Sequence, residues 1–249
     1  MTSRHLLVLA DSLAFHGPEQ TESPEHPGLY PQVCAAALAK DGPVQVDLVA
    51  RQGWTARDAW WALTKDPMAF GVYVHRADWL VIGVGGMDHL PAAIPTWLRD
   101  SIPYIRPGRL RRNVRRAYQR SSPALIRVSG GAMRQLPQSA TDRYLSRIVQ
   151  AVRHWRPGIP IALVGPSAHA APSYPAHRHH RPAVLAGRAW AAAQGIAFVD
   201  VDPWVLPSLA AGTGNPDGMH WAWSVHRGVG HALALAMESV SLGPGRAAG

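Results

Sequence analysis

A chain of 249 residues, 47% of them hydrophobic, is long enough to bury the core of one sizeable α/β domain. Its single cysteine, Cys34, excludes an internal disulfide and a thiolate metal cluster, and suits a reducing compartment. The net charge of +9 comes almost wholly from arginine, Lys40 and Lys65 being the only lysines, and predicts attraction to anionic partners.

The first apolar run, Leu6 to Ala10, is too short for the apolar region of a signal peptide and meets Asp11 at once. No later stretch approaches the roughly 18 apolar residues of a membrane span. Both features predict a cytoplasmic protein without stable membrane insertion. The same run reads as a buried strand, and four more follow it: Val44–Ala50, Trp79–Val84, Ile159–Val164 and Ile196–Val201. Between and after them the spacing predicts helices at Tyr30–Lys40, Thr55–Lys65, Arg109–Arg120, Ala140–Trp155, Pro182–Gln194 and Ser224–Val240. Strands alternating with helices predict a flavodoxin-like, doubly wound parallel sheet of five strands, ordered 2-1-3-4-5, with helices on both faces. One domain is expected over residues 1–242, with a disordered tail at 243–249. Two long irregular segments, Gly17–Gly28 and Pro166–Pro182, read as lids or binding loops.

In such a sheet, ligands bind beyond the carboxyl ends of the strands, so chemistry is expected just after each run. Ser12 follows the first strand; it is a nucleophile if a base stands near, and otherwise a helix cap. Gly53 follows the second strand and Gly85-Gly86 the third. Each supplies backbone N–H groups to an oxyanion, or simply makes a tight turn. Before the last helix, Asp217 and His220 stand three apart in a turn-rich stretch. That spacing lets the carboxylate reach imidazole Nδ1 and leave Nε2 free to accept a proton. An ordinary Asp-Gly turn is the alternative.

Taken in order, these pieces resemble the blocks of the SGNH (GDSL-like) hydrolase superfamily. Ala10-Asp11-Ser12 stands for its Gly-Asp-Ser block, Gly53 for its second-block glycine, Gly85-Gly86-Met87-Asp88 for Gly-x-Asn-Asp, and Asp217-Gly218-Met219-His220 for Asp-x-x-His. The resemblance covers about Leu6 to His220. It implies an SGNH-type fold, a Ser12–His220–Asp217 triad, and an oxyanion hole from the N–H groups of Ser12, Gly53 and Gly86. Asp11, His16, Trp54, Met87, Asp88 and Trp221 are the candidate substrate contacts; Trp223 joins Trp54, Trp221 and Met87 as a candidate apolar wall. One departure stands out: Met87 replaces the oxyanion asparagine and cannot donate a hydrogen bond. Loss of one such donor costs on the order of 3 kcal/mol in the transition state.

A narrower resemblance, carried by Leu7 to Pro18 and Gly86-Met87-Asp88, is to mycobacterial sugar octanoyltransferases. It implies an octanoyl-CoA donor and a glucose hydroxyl of diglucosylglycerate as acceptor, early in methylglucose lipopolysaccharide biosynthesis. Acyl-CoA is then a co-substrate, and neither cofactor nor metal is expected. An esterase or carbohydrate deacetylase would use the same triad, so both readings stay open, as does a basic non-catalytic binding module. Arginines crowd residues 106–120. They form either a solvated helix face or an anion clamp, with Arg109 and Arg112 as candidate contacts to phosphates of coenzyme A or to a carboxylate. Nucleic acid is not expected, for want of aromatic interleaving. His177-Arg178-His179-His180-Arg181 lacks a carboxylate or cysteine at ligand spacing and reads as a lid or surface loop. Oligomeric state is left open.

Overall fold

In the computed structural model, which describes residues 3–241, five parallel strands pair in the order β2-β1-β3-β4-β5. They are β1 (Arg4–Ala10), β2 (Val44–Ala50), β3 (Trp79–Gly83), β4 (Ile161–Val164) and β5 (Ala197–Val199). The helices are α1 (Tyr30–Leu38), α2 (Ala56–Lys65), the single turn α3 (Val74–Arg76), α4 (Thr96–Ser101), α5 (Gly108–Val128), α6 (Gln138–Trp155), α7 (His180–Ala193), α8 (Asp202–Ala211) and α9 (Trp223–Ser241). Sheet order and strand direction agree with the sequence expectation. The tail expected to be disordered, 243–249, lies outside the described residues.

The alternation of side chains along β1 divides the core. Leu7 and Leu9 pack with Leu80, Ile82, Ile161 and Leu163 beneath α2, α6 and α7. Leu6, Val8 and Ala10 pack with Val81, Ala162 and Val164 beneath α1, α8 and α9. The two faces follow from the period-2 geometry of a strand buried on both sides. Full burial of each such leucine contributes about 1.5–3 kcal/mol.

Several boundaries differ for identifiable reasons. The helix expected at Arg109–Arg120 runs on to Val128 through Ser121, Ser122 and Pro123. Pro123 ordinarily breaks or kinks a helix, which hides this extension in the sequence. Helix α8 was not expected: it carries Pro203 in its first turn, where no N–H is needed, and Pro207 in its interior. Helix α4 is six residues long and flanked by Pro95, too short to show periodicity. The last two strands are shorter than their apolar runs.

Candidate active site

All five strands end at one rim, and a cavity of about 290 Å³ opens there. Its wall draws on Asp11, Ser12 and Leu13 after β1, Gln52 and Gly53 after β2, and Gly86, Met87 and Leu90 after β3. The segment after β4 adds Ser167 to His169, Ser173 and Tyr174; the turn before α9 adds Asp217, Met219 and His220.

Ser12 begins a short 3-10 turn whose cap is Asp11, and the Asp11 carboxylate accepts the Leu13 N–H at 3.0 Å. The turn lifts the Ser12 hydroxyl off the strand end. His220 Nε2 lies 3.0 Å from Ser12 Oγ, and its Nδ1 lies 2.5 Å from Asp217 Oδ2. A carboxylate only accepts, so Nδ1 carries the proton and Nε2 faces the hydroxyl as acceptor. The Asp217 carboxylate also accepts the N–H groups of Met219 and His220 at 2.8 and 3.1 Å. Burial would raise its pKa, but these backbone bonds and the imidazole outweigh burial and hold it below the ordinary value. Burial pushes the His220 pKa down against the pull of Asp217, and His16 pushes it the same way.

The turn needs glycine at one position. Gly218 has φ +71°, and a Cβ there would stand 2.6–2.8 Å from the backbone of Ala170 and Ala171. The close approach lets the Ala170 N–H donate to the Gly218 carbonyl at 2.7 Å, joining the turn to the segment after β4.

His16 stacks flat on His220, with ring centroids 3.8 Å apart, and so stands behind the imidazole instead of in the cavity wall. His226 Nδ1 accepts the Tyr30 N–H, which leaves Nε2–H to donate to the His16 carbonyl at 3.2 Å. Gly53 and Gly86 do reach the cavity. Among the described residues, the N–H groups of Ser12, Gly53 and Gly86 have no protein acceptor, as an oxyanion hole requires. Met87 lines the cavity as an apolar neighbour to them.

Besides His16, five more of the eight candidate substrate contacts lie outside the cavity wall. Asp88 is fully buried and accepts the Ala56 N–H at 3.0 Å and the Thr141 hydroxyl at 2.8 Å. It ties the loop after β3 to the start of α2 and to α6, and cannot touch a ligand. Trp54 packs against the core beneath α2 and borders a different surface groove, with Trp61 and Lys65. Trp221 is buried beneath α9 and donates its indole N–H to Ser167 Oγ at 3.0 Å, one layer behind the wall. Trp223 likewise lies outside the wall; it stacks on His26 and sits against Gly17 and Gly28, pinning that irregular segment. Arg109 and Arg112 stand on α5 and take no part in the cavity wall; Arg112 lines a second groove and Arg109 neither. Loop sequence names which residues lie near a strand end, but not which way each side chain turns.

Asp11 is in the wall, and there burial raises its pKa to about 7, opposed by the Leu13 N–H and helped by the charge of Asp88. Burial also raises Asp88 to about 6, against its bonds to Thr141 and Ala56. Sequence reasoning missed Ser167, His169, Ser173 and Tyr174 individually, although it marked their segment as a binding loop. His169 is pushed down to about 4 by burial and by His177 and His180.

No family model matches the chain. It is similar to the diglucosylglycerate octanoyltransferase of Mycolicibacterium hassiacum, with 40% identity over 238 residues covering 95% of this chain and 96% of the relative. To the protein of that name from Mycobacterium tuberculosis it is 38% identical, over 95% of this chain and 93% of the relative. Among solved structures, the native aryl esterase of M. smegmatis superposes with a TM-score of 0.59 at 16% identity, over 95% of this chain and 99% of that one. The structural likeness establishes an SGNH-hydrolase type of fold.

Proposed function

The chain belongs to the diglucosylglycerate octanoyltransferase family of acyl-transferring enzymes, and on that premise we propose that it moves an octanoyl group from octanoyl-CoA to a glucose hydroxyl of diglucosylglycerate. The observation that carries the chemistry is the continuous chain from Ser12 Oγ to His220 to Asp217, 3.0 and 2.5 Å long, opening into a cavity at the strand ends. In this reading His220 Nε2 takes the Ser12 proton as Oγ attacks the thioester carbonyl. The N–H groups of Ser12, Gly53 and Gly86 hold the tetrahedral oxyanion. The carbon–sulfur bond breaks, the thiolate takes the proton from His220, and an octanoyl-serine ester remains. A sugar hydroxyl then gives its proton to His220 and attacks that ester; Ser12 Oγ leaves and recovers the proton. Acyl-CoA is a co-substrate, and no cofactor enters. We place the reaction in the cytoplasm, early in methylglucose lipopolysaccharide synthesis; no described helix is long and apolar enough to cross a membrane.

Transfer in preference to hydrolysis needs a site that sheds water from the ester. Leu13, Met87, Leu90, Ala168 and Met219 give the cavity an apolar lining suited to that and to a medium-length acyl chain. Met87 thus takes the place of a polar donor with a surface that repels water. The SGNH esterases share this fold, so hydrolysis is the competing activity. Incubation with octanoyl-CoA, with and without diglucosylglycerate, separates the two. The proposal expects coenzyme A release to rise with acceptor and octanoyl diglucosylglycerate to accumulate. Free octanoate forming at one rate in both mixtures would establish a hydrolase.

A further inference from the structure

The second groove, of about 670 Å³, lies between the α4 segment and α5, and Arg99, Arg111, Arg112, Arg115 and Tyr118 line it. Helix α5 carries seven arginines and no aspartate or glutamate. Arg111 and Arg115, like Arg112 and Arg116, stand four apart, a spacing at which like charges destabilise a helix. A solvated helix face ordinarily answers such charges with carboxylates three or four residues away, and this one has none. The only carboxylate in the groove, Asp100, is already shared by Arg57 at 2.7 Å and Arg99 at 3.2 Å. Arg111 reaches only the Pro103 carbonyl, at 3.2 Å, and neither Arg112 nor Arg115 forms an ion pair among the described residues. The groove therefore gathers three guanidinium groups with no counter-charge.

It also lies near the catalytic cavity: just past α5, Gly131 packs against Ala176, whose N–H donates to the Tyr174 carbonyl at 2.8 Å. Tyr174 lines that cavity, and its phenol is raised above the ordinary value by burial first and then by the neighbouring Tyr118, with Arg99 opposing. Tyr118 and Arg99 both belong to the groove. Tyr174 thus belongs to the cavity wall and lies within electrostatic reach of two groove residues.

We propose that this groove holds the phosphate-bearing nucleotide end of the acyl donor, with Arg111, Arg112 and Arg115 on its phosphates and the chain to the thioester passing Tyr174 to Ser12. The inference rests on the octanoyl-CoA reading above and names the part of the protein that selects the donor. Forked guanidinium groups match phosphate oxygens. A bisphosphate answers three of them, whereas the single carboxylate of a glycerate acceptor would leave most of the charge unbalanced. The half-buried ring of Tyr118 lines the groove and offers a face on which a purine stacks. Arg109, outside the groove, is not part of it.

The direct probe is calorimetric titration of the whole protein with adenosine 3′,5′-bisphosphate, which requires no turnover and so stands apart from the octanoyl-transfer reading. We expect binding that D-glycerate does not displace, and that weakens by about tenfold or more in an Arg111→Gln/Arg112→Gln/Arg115→Gln variant. Circular dichroism and labelling of Ser12 by a fluorophosphonate show whether that variant is folded. In parallel, the preference for octanoyl-CoA over octanoyl-N-acetylcysteamine, a thioester without phosphates, should fall by about tenfold or more in the variant. Unchanged bisphosphate affinity in the folded variant would overturn the proposal, as would displacement by D-glycerate. An equal loss with both thioesters would also overturn it, since that places the arginines in the chemistry common to both. If the variant does not fold, Arg112→Gln alone carries the same titration.

Discussion

His220 can take a proton from Ser12 only while its ring is neutral. Burial and the stacked His16 hold its pKa below the ordinary 6.5. The sign is that of a base: kcat/KM falls as pH drops through that pKa, so the acid limb lies below 6.5. A limb at or above that value, in a pH profile with octanoyl-CoA, would contradict the assignment. Asp11 sets a second limb. Its carboxyl titrates at about 7 in the cavity wall, and an added Gly86 Cβ would lie 3.8 Å from its Oδ2. Once ionised, it places negative charge where the oxyanion forms. We expect kcat/KM to decline above about 7 and the decline to move to higher pH in Asp11→Asn, which keeps the acceptor for the Leu13 N–H. A profile identical in the two proteins would remove Asp11 from this role. Ser12→Ala and His220→Ala should each abolish transfer, by about 10⁴-fold or more, whereas Asp217→Asn costs less. Equal losses measured for all three variants would assign the carboxylate a larger share.

Among the elements, the turn 215–220 makes the sharpest demand on sequence. Gly218→Ala asks a residue with a Cβ to hold φ +71° against the backbone of Ala170. The turn must then lift away, carrying Asp217 and His220 with it. Steady-state kinetics should show kcat down by roughly tenfold to a hundredfold, a consequence of misplacing a catalytic group by about 1 Å, with little change in circular dichroism. An unchanged kcat would mean the turn tolerates the shift. The strands and their order were legible because a sheet covered on both faces writes itself as short aliphatic runs. The meeting of Ser12 with the Asp217–His220 pair was legible because these residues fall at a strand end and in a turn. Helix α8 was hidden by its two prolines, and the length of α5 by Ser121 to Pro123. Trp54, Trp221 and Asp88 were misassigned for another reason: a residue near a rim belongs to the core or to the cavity according to its side-chain direction, which spacing in a loop does not encode.

For the molecule as a whole, the loops behind the site store an acid sensitivity. His89 is 2% exposed, and neither ring nitrogen has a hydrogen-bond partner among the described residues. Burial, with help from His180, His169 and Arg134, pushes it down to about 3. A base with a depressed folded pKa binds fewer protons folded than unfolded. Its contribution is therefore intact above 6.5 and lost as pH falls from there toward 3. Asp11 and Asp88 work in the opposite sense, their raised values favouring the fold as pH falls. A variant comparison isolates the histidine: His89→Leu, which breaks no hydrogen bond, should lose less stability on acidification. Between pH 6.5 and 5 the sparing amounts to about 2 kcal/mol, from about 1.4 kcal/mol per pH unit for one proton. Urea melts at the two pH values measure it, and parallel losses in both proteins would show that His89 is not the sensor. At the same scale, the segments after four strands and the turn before α9 must converge for one hydroxyl to become an acyl carrier. Mass spectrometry of peptides after mixing the protein with octanoyl-CoA alone reads that outcome directly. The account predicts an octanoyl ester on Ser12 that disappears when diglucosylglycerate is added and never forms in His220→Ala. Octanoyl on another residue, or undiminished transfer by Ser12→Ala, would contradict it.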